Sequence, residues 1–299
     1  MTQSIQSKLL AKAASLLVNI PKDNQDEMHA MIAKMGQGNT APVTPPVIDG
    51  QNVQNYYAHG MQVIAWNDKQ DKNQRVIFYT HGGGYIAQLD NFQINLLTTL
   101  AERLDAKIIA PMYPLLPTFN YTHSFFKLLK IYEDTVKSVN DPRQITIMGD
   151  SAGGGMALGL AHSLVECDLP QPKDIILSSP WLDIASNNPD MQKYADKDIL
   201  TILLLKTLAK YWAVDESNYK NPQVSPIHSP HFAKMGKITQ FIGTREILYP
   251  DNKLLSDKLT ALGLEHNFIV GENMIHVYPQ LPIPEGKAAI EQMIKIINE

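Results

Sequence analysis

From about Gly60 onward, short runs of consecutive apolar residues alternate with longer stretches in which apolar positions recur every three or four residues. The short runs, residues 61–66, 75–80, 107–112, 144–148, 174–179, 238–243 and 266–270, are rich in β-branched and aromatic side chains and predict strands. The longer stretches, 94–104, 124–139, 152–166, 199–212, 252–262 and 285–297, predict helices. In Ile145-Thr146-Ile147-Met148 and Ile175-Ile176-Leu177 the apolar residues do not alternate with polar ones, so both faces of these strands must be covered. The pattern predicts an α/β fold, a mostly parallel, doubly wound sheet with helices on both faces.

Two segments depart from this rhythm. Residues 3–18 and 23–35 have helical periodicity, end at Gly36 and Gly38, and run into a proline-rich connector at 41–46. In the first, Ile5, Leu9, Leu16, Leu17 and Ile20 share one face while Lys8 and Lys12 interrupt the apolar run, which reads as an amphipathic helix and not a signal peptide. Between Pro180 and Pro230 a single helix sits between polar, turn-rich stretches containing Pro189, Pro222 and Pro226. Residues 1–50 are therefore expected to form an N-terminal helical cap segment and linker ahead of a main domain at 51–299. An excursion at about 181–224 would complete a helical cap over the C-terminal edge of the strands, where ligands bind in this architecture.

Composition narrows the class. Twenty-six Lys and Arg against thirty Asp and Glu leave a net charge of −4, without the basic excess of a nucleic-acid binder. The lone Cys167 excludes an internal disulfide, and no run approaches the roughly 18 apolar residues needed to cross a bilayer, so a cytoplasmic location is expected.

The chemistry concentrates in four places. Gly149-Asp150-Ser151-Ala152-Gly153 follows a predicted strand and opens a predicted helix, a G-x-S-x-G turn in the setting that pushes a serine hydroxyl out above a sheet. Upstream, His81-Gly82-Gly83-Gly84-Tyr85 follows another strand, and successive glycines there leave backbone N–H groups free to converge on an anion. Gly82 and Gly83 are the expected donors, with the Ala152 amide as the third. The loop lacks the Lys-Ser or Lys-Thr ending of a phosphate cradle.

A serine nucleophile needs a base oriented by a carboxylate, in the chain order Ser, acid, His. Only His266 and His276 lie far enough downstream. His266 begins a predicted strand, whereas His276 sits in the following loop and is the chosen base. For the acid, Glu246 lies in the turn just past strand 238–243. Asp251 stays as the alternative, although its place at the start of the next helix already explains a carboxylate.

His81–Gly84 and Gly149–Gly154 together resemble the HGGG and GDSAGG motifs of the hormone-sensitive-lipase group of α/β-hydrolases, a bacterial esterase family. The resemblance extends through Ser179-Pro180-Trp181-Leu182-Asp183, Val224-Ser225-Pro226, residues 243–248 and Met274-Ile275-His276-Val277. It implies the α/β-hydrolase fold with a helical cap, Ser151 as nucleophile, His276 as base, Gly82, Gly83 and Ala152 as oxyanion donors, and Asp150 with His81 bracing the glycine loop. The chain departs from the family in carrying Glu246 where Asp is frequent, and in residues 112–118.

The expected activity is therefore hydrolysis of carboxylic esters with short to medium acyl chains through an acyl-enzyme. No cofactor is expected. The expected partner is a small-molecule ester, with no nucleic acid and no stable membrane insertion, and a homodimer is compatible with the sequence. A deacetylase or amidase acting on a small acylated metabolite is the alternative. Some relatives are non-catalytic receptors that have lost the triad histidine, and the presence of His276 argues against that reading. His228-Ser229-Pro230-His231 has metal-ligand spacing, but Pro230 opposes a helix and no acidic or thiol partner is expected nearby, so no metal site is expected. Met28, Met31 and Met35 recur at helical spacing, as packing or as the lining of an adaptable cleft.

Overall fold

In the computed structural model, which describes residues 3–17 and 20–299, eight strands form one sheet in the order β1-β2-β4-β3-β5-β6-β7-β8. These are β1 (Gln54–Ala58), β2 (Met61–Trp66), β3 (Val76–Thr80), β4 (Lys107–Met112), β5 (Ile145–Asp150), β6 (Asp174–Ser178), β7 (Lys237–Gly243) and β8 (His266–Gly271). Strands β1, β2 and β4 pair antiparallel, and all pairings from β4 through β3 to β8 are parallel. Every residue of β3, β5 and β6 is buried, as their unbroken apolar runs require.

The helices are α1 (Ile5–Leu17), α2 (Gln25–Met35), α3 (Asn91–Leu104), α4 (Phe125–Lys137), α5 (Ser151–Glu166), α6 (Ile202–Ala213), α7 (Tyr249–Ala261) and α8 (Pro284–Asn298). One core packs Leu128 of α4, Leu160 of α5 and Leu255 of α7 against Phe78, Ile147 and Leu177. The opposite core packs Leu97 and Leu100 of α3 and Met293 and Ile297 of α8 against Ile77, Tyr79 and Ile176. The sheet is therefore covered on both faces.

Three details differ from the sequence reading. Strand β1 was not expected, because its residues Gln-Asn-Tyr-Tyr-Ala do not read as an apolar run. It is an edge strand with exposed central residues, joined to β2 by the two-residue turn His59-Gly60, both at positive φ (51° and 73°). Helix α1 lies against α8 and buries Ser7 and Ala11, while Ile5 and Leu9 of its apolar face are 76% and 63% exposed. Val18, the expected end of that helix, lies outside the described residues. The two N-terminal helices also part company, since α2 packs on α6, within the excursion that follows β6. No helix among the described residues is long and apolar enough to cross a membrane.

Helix α5 is buried from Ala152 to Leu164, and its glycines allow this close packing. A Cβ at Gly155 would lie 2.2 Å from the Trp181 carbonyl oxygen. Alanine in place of a mid-helix glycine gains about 1 kcal/mol of helix propensity, but overpacking against backbone costs about 1–3 kcal/mol. Gly155→Ala is expected to lower stability by up to about 2 kcal/mol in urea or thermal unfolding, and an increase would show that α5 lifts away freely.

Candidate active site

Strand β5 delivers Ser151 into a turn with φ +52°, a conformation that costs a non-glycine residue about 1–3 kcal/mol and persists only where the surroundings impose it. Here they do. A Cβ at Gly149 would fall 2.4 Å from the Gly153 carbonyl oxygen, and one at Gly153 would fall 2.1 Å from that of Thr80. The Thr80 hydroxyl donates to the Gly153 carbonyl at 2.7 Å, pinning the start of α5 to β3. Ser151 thus stands at the N-terminus of a buried helix, whose first N–H groups have no acceptor within the helix and whose dipole favours negative charge.

Three side chains from three strand ends meet at this point. His276, in the loop after β8, has Nε2 2.8 Å from Ser151 Oγ and Nδ1 2.8 Å from Glu246 Oε2. Because the carboxylate can only accept, Nδ1 carries the proton and the Nε2 lone pair faces the serine hydroxyl. Glu246, after β7, is fully buried and accepts from the Gly243 N–H (2.5 Å) and the Ser179 hydroxyl (2.8 Å). Burial by itself would lower the pKa of His276, but the hydrogen bond and charge of Glu246, and then the charge of Asp198, outweigh it and hold the imidazole above its ordinary value. Asp251 is elsewhere. It accepts from Asn188 at 2.7 Å, and burial raises its pKa to about 6. His266 sits between Ser256 and the Leu264 carbonyl and takes no part.

The glycine loop requires a correction. Gly82 was expected to present its N–H to the site, but that group donates to Asp150 Oδ1 at 2.8 Å, and the residue is buried beneath the loop. The N–H groups of Gly83 and Gly84 make no hydrogen bond among the described residues, and both glycines line the cavity that holds Ser151. Their φ angles of +104° and +62° explain why glycine stands at each. Ala152, second in α5, offers a further N–H at the helix start. Asp150 also accepts from the Tyr79 hydroxyl (2.5 Å) and Gln93 Nε2 (3.1 Å). His81 is buried and stacked on Tyr113 with centroids 4.2 Å apart, its Nδ1 2.8 Å from the Gly82 carbonyl, and burial pushes its pKa down to about 4. It is a neutral support beneath the loop.

Above Ser151 and His276 opens a cavity of about 370 Å³, walled by Met31 and Met35 of α2, by Leu204, Leu205 and Leu208 of α6, and by Ile86 and Trp181. Sequence reasoning missed two residues behind the histidine. Ser179, at φ +47°, donates to Glu246 and accepts the Val277 N–H at 3.0 Å, so one hydroxyl ties the acid to the histidine loop. Asp198, in the excursion, accepts the Ile247 N–H at 2.5 Å, and withdrawal from water raises its pKa to about 6. Ser179, just past the end of β6, stands in the sequence only as part of the 179–183 motif, and Asp198 carries no local signal at all. A second correction lies far from this site: His231, expected to lack an acidic partner, hydrogen-bonds Glu166 at the end of α5, which sequence separation had hidden.

Comparison with known proteins bears on the fold and the family. A family described as the alpha/beta hydrolase fold matches residues 77–280. An esterase of Acinetobacter venetianus is 27% identical over 219 residues, 72% of each chain, and an acetyl-hydrolase of Streptomyces hygroscopicus is 25% identical over 78% of each. The crystal structure of a Staphylococcus aureus protein provisionally assigned as an esterase superposes with a TM-score of 0.87 over 99% of both chains at 26% identity. An esterase of the bacterial hormone-sensitive lipase family, at 20% identity over 99% of this chain and 98% of its own, shares the fold with a TM-score of 0.81.

The charge of Asp198 next to His276 generates a prediction. A negative charge favours the protonated imidazole, so Asp198→Asn should lower the His276 pKa, read by NMR titration of the imidazole resonances from pH 5 to 9. An unchanged or raised value would mean that Asp198 does not act on the imidazole.

Proposed function

Because this chain belongs to the alpha/beta hydrolase fold family, we propose that it is a carboxylesterase that cleaves short- to medium-chain acyl esters through an acyl-enzyme on Ser151. The observation that carries the reading is the continuous path Ser151 Oγ to His276 Nε2 and His276 Nδ1 to Glu246, each step 2.8 Å, at the floor of an apolar cavity. His276 Nε2 takes the Ser151 proton as Oγ attacks the ester carbonyl carbon. The carbonyl oxygen, now an oxyanion, is received by the N–H groups of Gly83, Gly84 and Ala152. His276 then returns the proton to the alcohol oxygen as the C–O bond breaks, leaving the acyl group on Ser151. Water attacks the acyl-enzyme, giving its proton to His276, and the carboxylic acid leaves as Ser151 recovers its own. Glu246 keeps Nδ1–H in place and stabilises the imidazolium formed in each half.

The acyl range follows from volume. A cavity of about 370 Å³ lies near the small end of ligand pockets, about 300–1,000 Å³, and its apolar wall suits a short aliphatic chain. Helices α2 and α6, with the 181–224 excursion, act as the cap that closes it. No cofactor enters any step.

On a p-nitrophenyl ester series from acetate to palmitate, the wild type should be most active on the shorter chains, with 4-nitroacetanilide as the amide comparator. Ser151→Ala should lose activity by about 10⁴-fold or more in kcat. Equal rates in mutant and wild type would remove Ser151 from the mechanism, and a preference for the anilide would shift the reading to an amidase. Glu246→Gln should lower kcat by about 10³–10⁴-fold, since a neutral amide can hold the wrong tautomer. A drop below tenfold would mean that the acid is elsewhere.

A further inference from the structure

Eleven residues along α5 from Ser151, about 16 Å at the helical rise, His162 and Glu166 fall on one face four positions apart, and His231 approaches them from the loop at 229–231. One ligand atom from each of the three lies within 4.8 Å of the other two. We propose that His162, Glu166 and His231 form a binding site for one divalent transition-metal ion of the Zn²⁺ class, which clamps the 225–231 segment to the C-terminal end of α5.

The donor chemistry selects the ion. Two imidazoles and a carboxylate are a borderline nitrogen and oxygen set, suited to Zn²⁺ or Co²⁺ and unlike the all-oxygen shells of Ca²⁺ and Mg²⁺. Three protein ligands leave a fourth tetrahedral position for water on the side of Glu166, whose side chain is 55% exposed. The support behind the ligands is already built. Ser229 Oγ lies 3.0 Å from His162 Nδ1 and also accepts the His231 N–H at 3.2 Å, so one hydroxyl fixes the ring of the first histidine and the backbone of the second.

A simple ion pair between His231 and Glu166 accounts for only two of the three residues. The His162 and His231 rings also stack, with centroids 5.3 Å apart and planes within 16°, an arrangement that two imidazolium cations would disfavour and two metal-bound neutral imidazoles would not. The segment so clamped belongs to the packing of α5 and carries none of the groups around Ser151. The ion therefore stabilises the fold and takes no part in ester hydrolysis, so the proposal stands whether or not the esterase reading does.

The test titrates Zn²⁺ into chelator-treated full-length protein against a chromophoric competitor, and repeats the titration with Glu166→Gln and His231→Gln. Glu166 is exposed, so its variant remains folded even if His231→Gln does not. The expectation is one ion per chain, a Tm that rises with free Zn²⁺ by about 5 °C at a hundredfold excess over Kd, and affinity weakened at least tenfold in either variant. Co²⁺ in place of Zn²⁺ should give the visible absorption of a tetrahedral ion, lost in both variants. No binding at millimolar Zn²⁺, or equal binding by wild type and both variants, as when the ion sits on His276 instead, would overturn the proposal.

Discussion

A buried carboxylate has to be satisfied, and the way Asp150 is satisfied sets the geometry around Ser151. Removing such a group from water costs several kcal/mol, which hydrogen bonds to a charged acceptor offset at about 1.5–3 kcal/mol each. Its donors come from three places: the Tyr79 hydroxyl on β3, the Gly82 N–H in the glycine loop, and Gln93 Nε2 on α3. Gln93 is itself held by a capping box with Asp90, so the same side chain that starts α3 also steadies the elbow. A Cβ at Gly82 would fall 2.2 Å from Asp150 Oδ2. Glycine at 82 is therefore needed for the brace, and the loop can turn Gly83 and Gly84 toward the serine only because Gly82 is tied down.

Behind His276 the same economy of groups recurs. Ser179 bonds both Glu246 and the backbone that carries the histidine, so acid and base cannot move independently. Gly243 supplies a second donor to the same Glu246 oxygen, which leaves the other oxygen for the imidazole. The longer side chain of glutamate fits because its turn lies close enough for Oε1 to fold back on the end of its own strand. Asp198 adds a charge from the excursion. Its bond to the Ile247 N–H places it one residue from Glu246, so the position of the excursion bears on the basicity of the histidine.

What could be read from the sequence divides along the same line. Seven strands, the six helices after Gly60, Ser151, His276 and Glu246 were legible because each rests on local chemistry: apolar runs, a strand-to-helix turn, a histidine in a loop after a strand. The misses are non-local. Strand β1 carries no apolar run because it lies at the exposed edge, and its one cue was the His59-Gly60 turn. Gly82 and Gly84 exchange places in the expectation because the sequence shows three equivalent glycines, and only the folded partner of Gly82 distinguishes them. The partnership of Glu166 with His231 joins two residues 65 positions apart, which no local pattern links.

The cavity above Ser151 is non-local in a stronger sense. Its floor is made of strand ends held by buried charge networks, whereas its walls come from α2 and α6, which are joined by His29 to Tyr211 at 3.0 Å, Gln25 to Thr207 at 3.2 Å, and the contact of Thr201 with Pro21 at 3.3 Å. Neutral hydrogen bonds of this kind contribute about 1 kcal/mol each, well below the charge-assisted bonds around Asp150 and Glu246. The side chains that line the cavity there include Met31 and Met35, which change rotamer at little cost. Floor and walls therefore differ in stiffness by construction. Exchanges among the α2 and α6 side chains can reshape the cavity without loosening the serine, whereas any change that disturbs Asp150 or Ser179 reaches Ser151 and His276 directly.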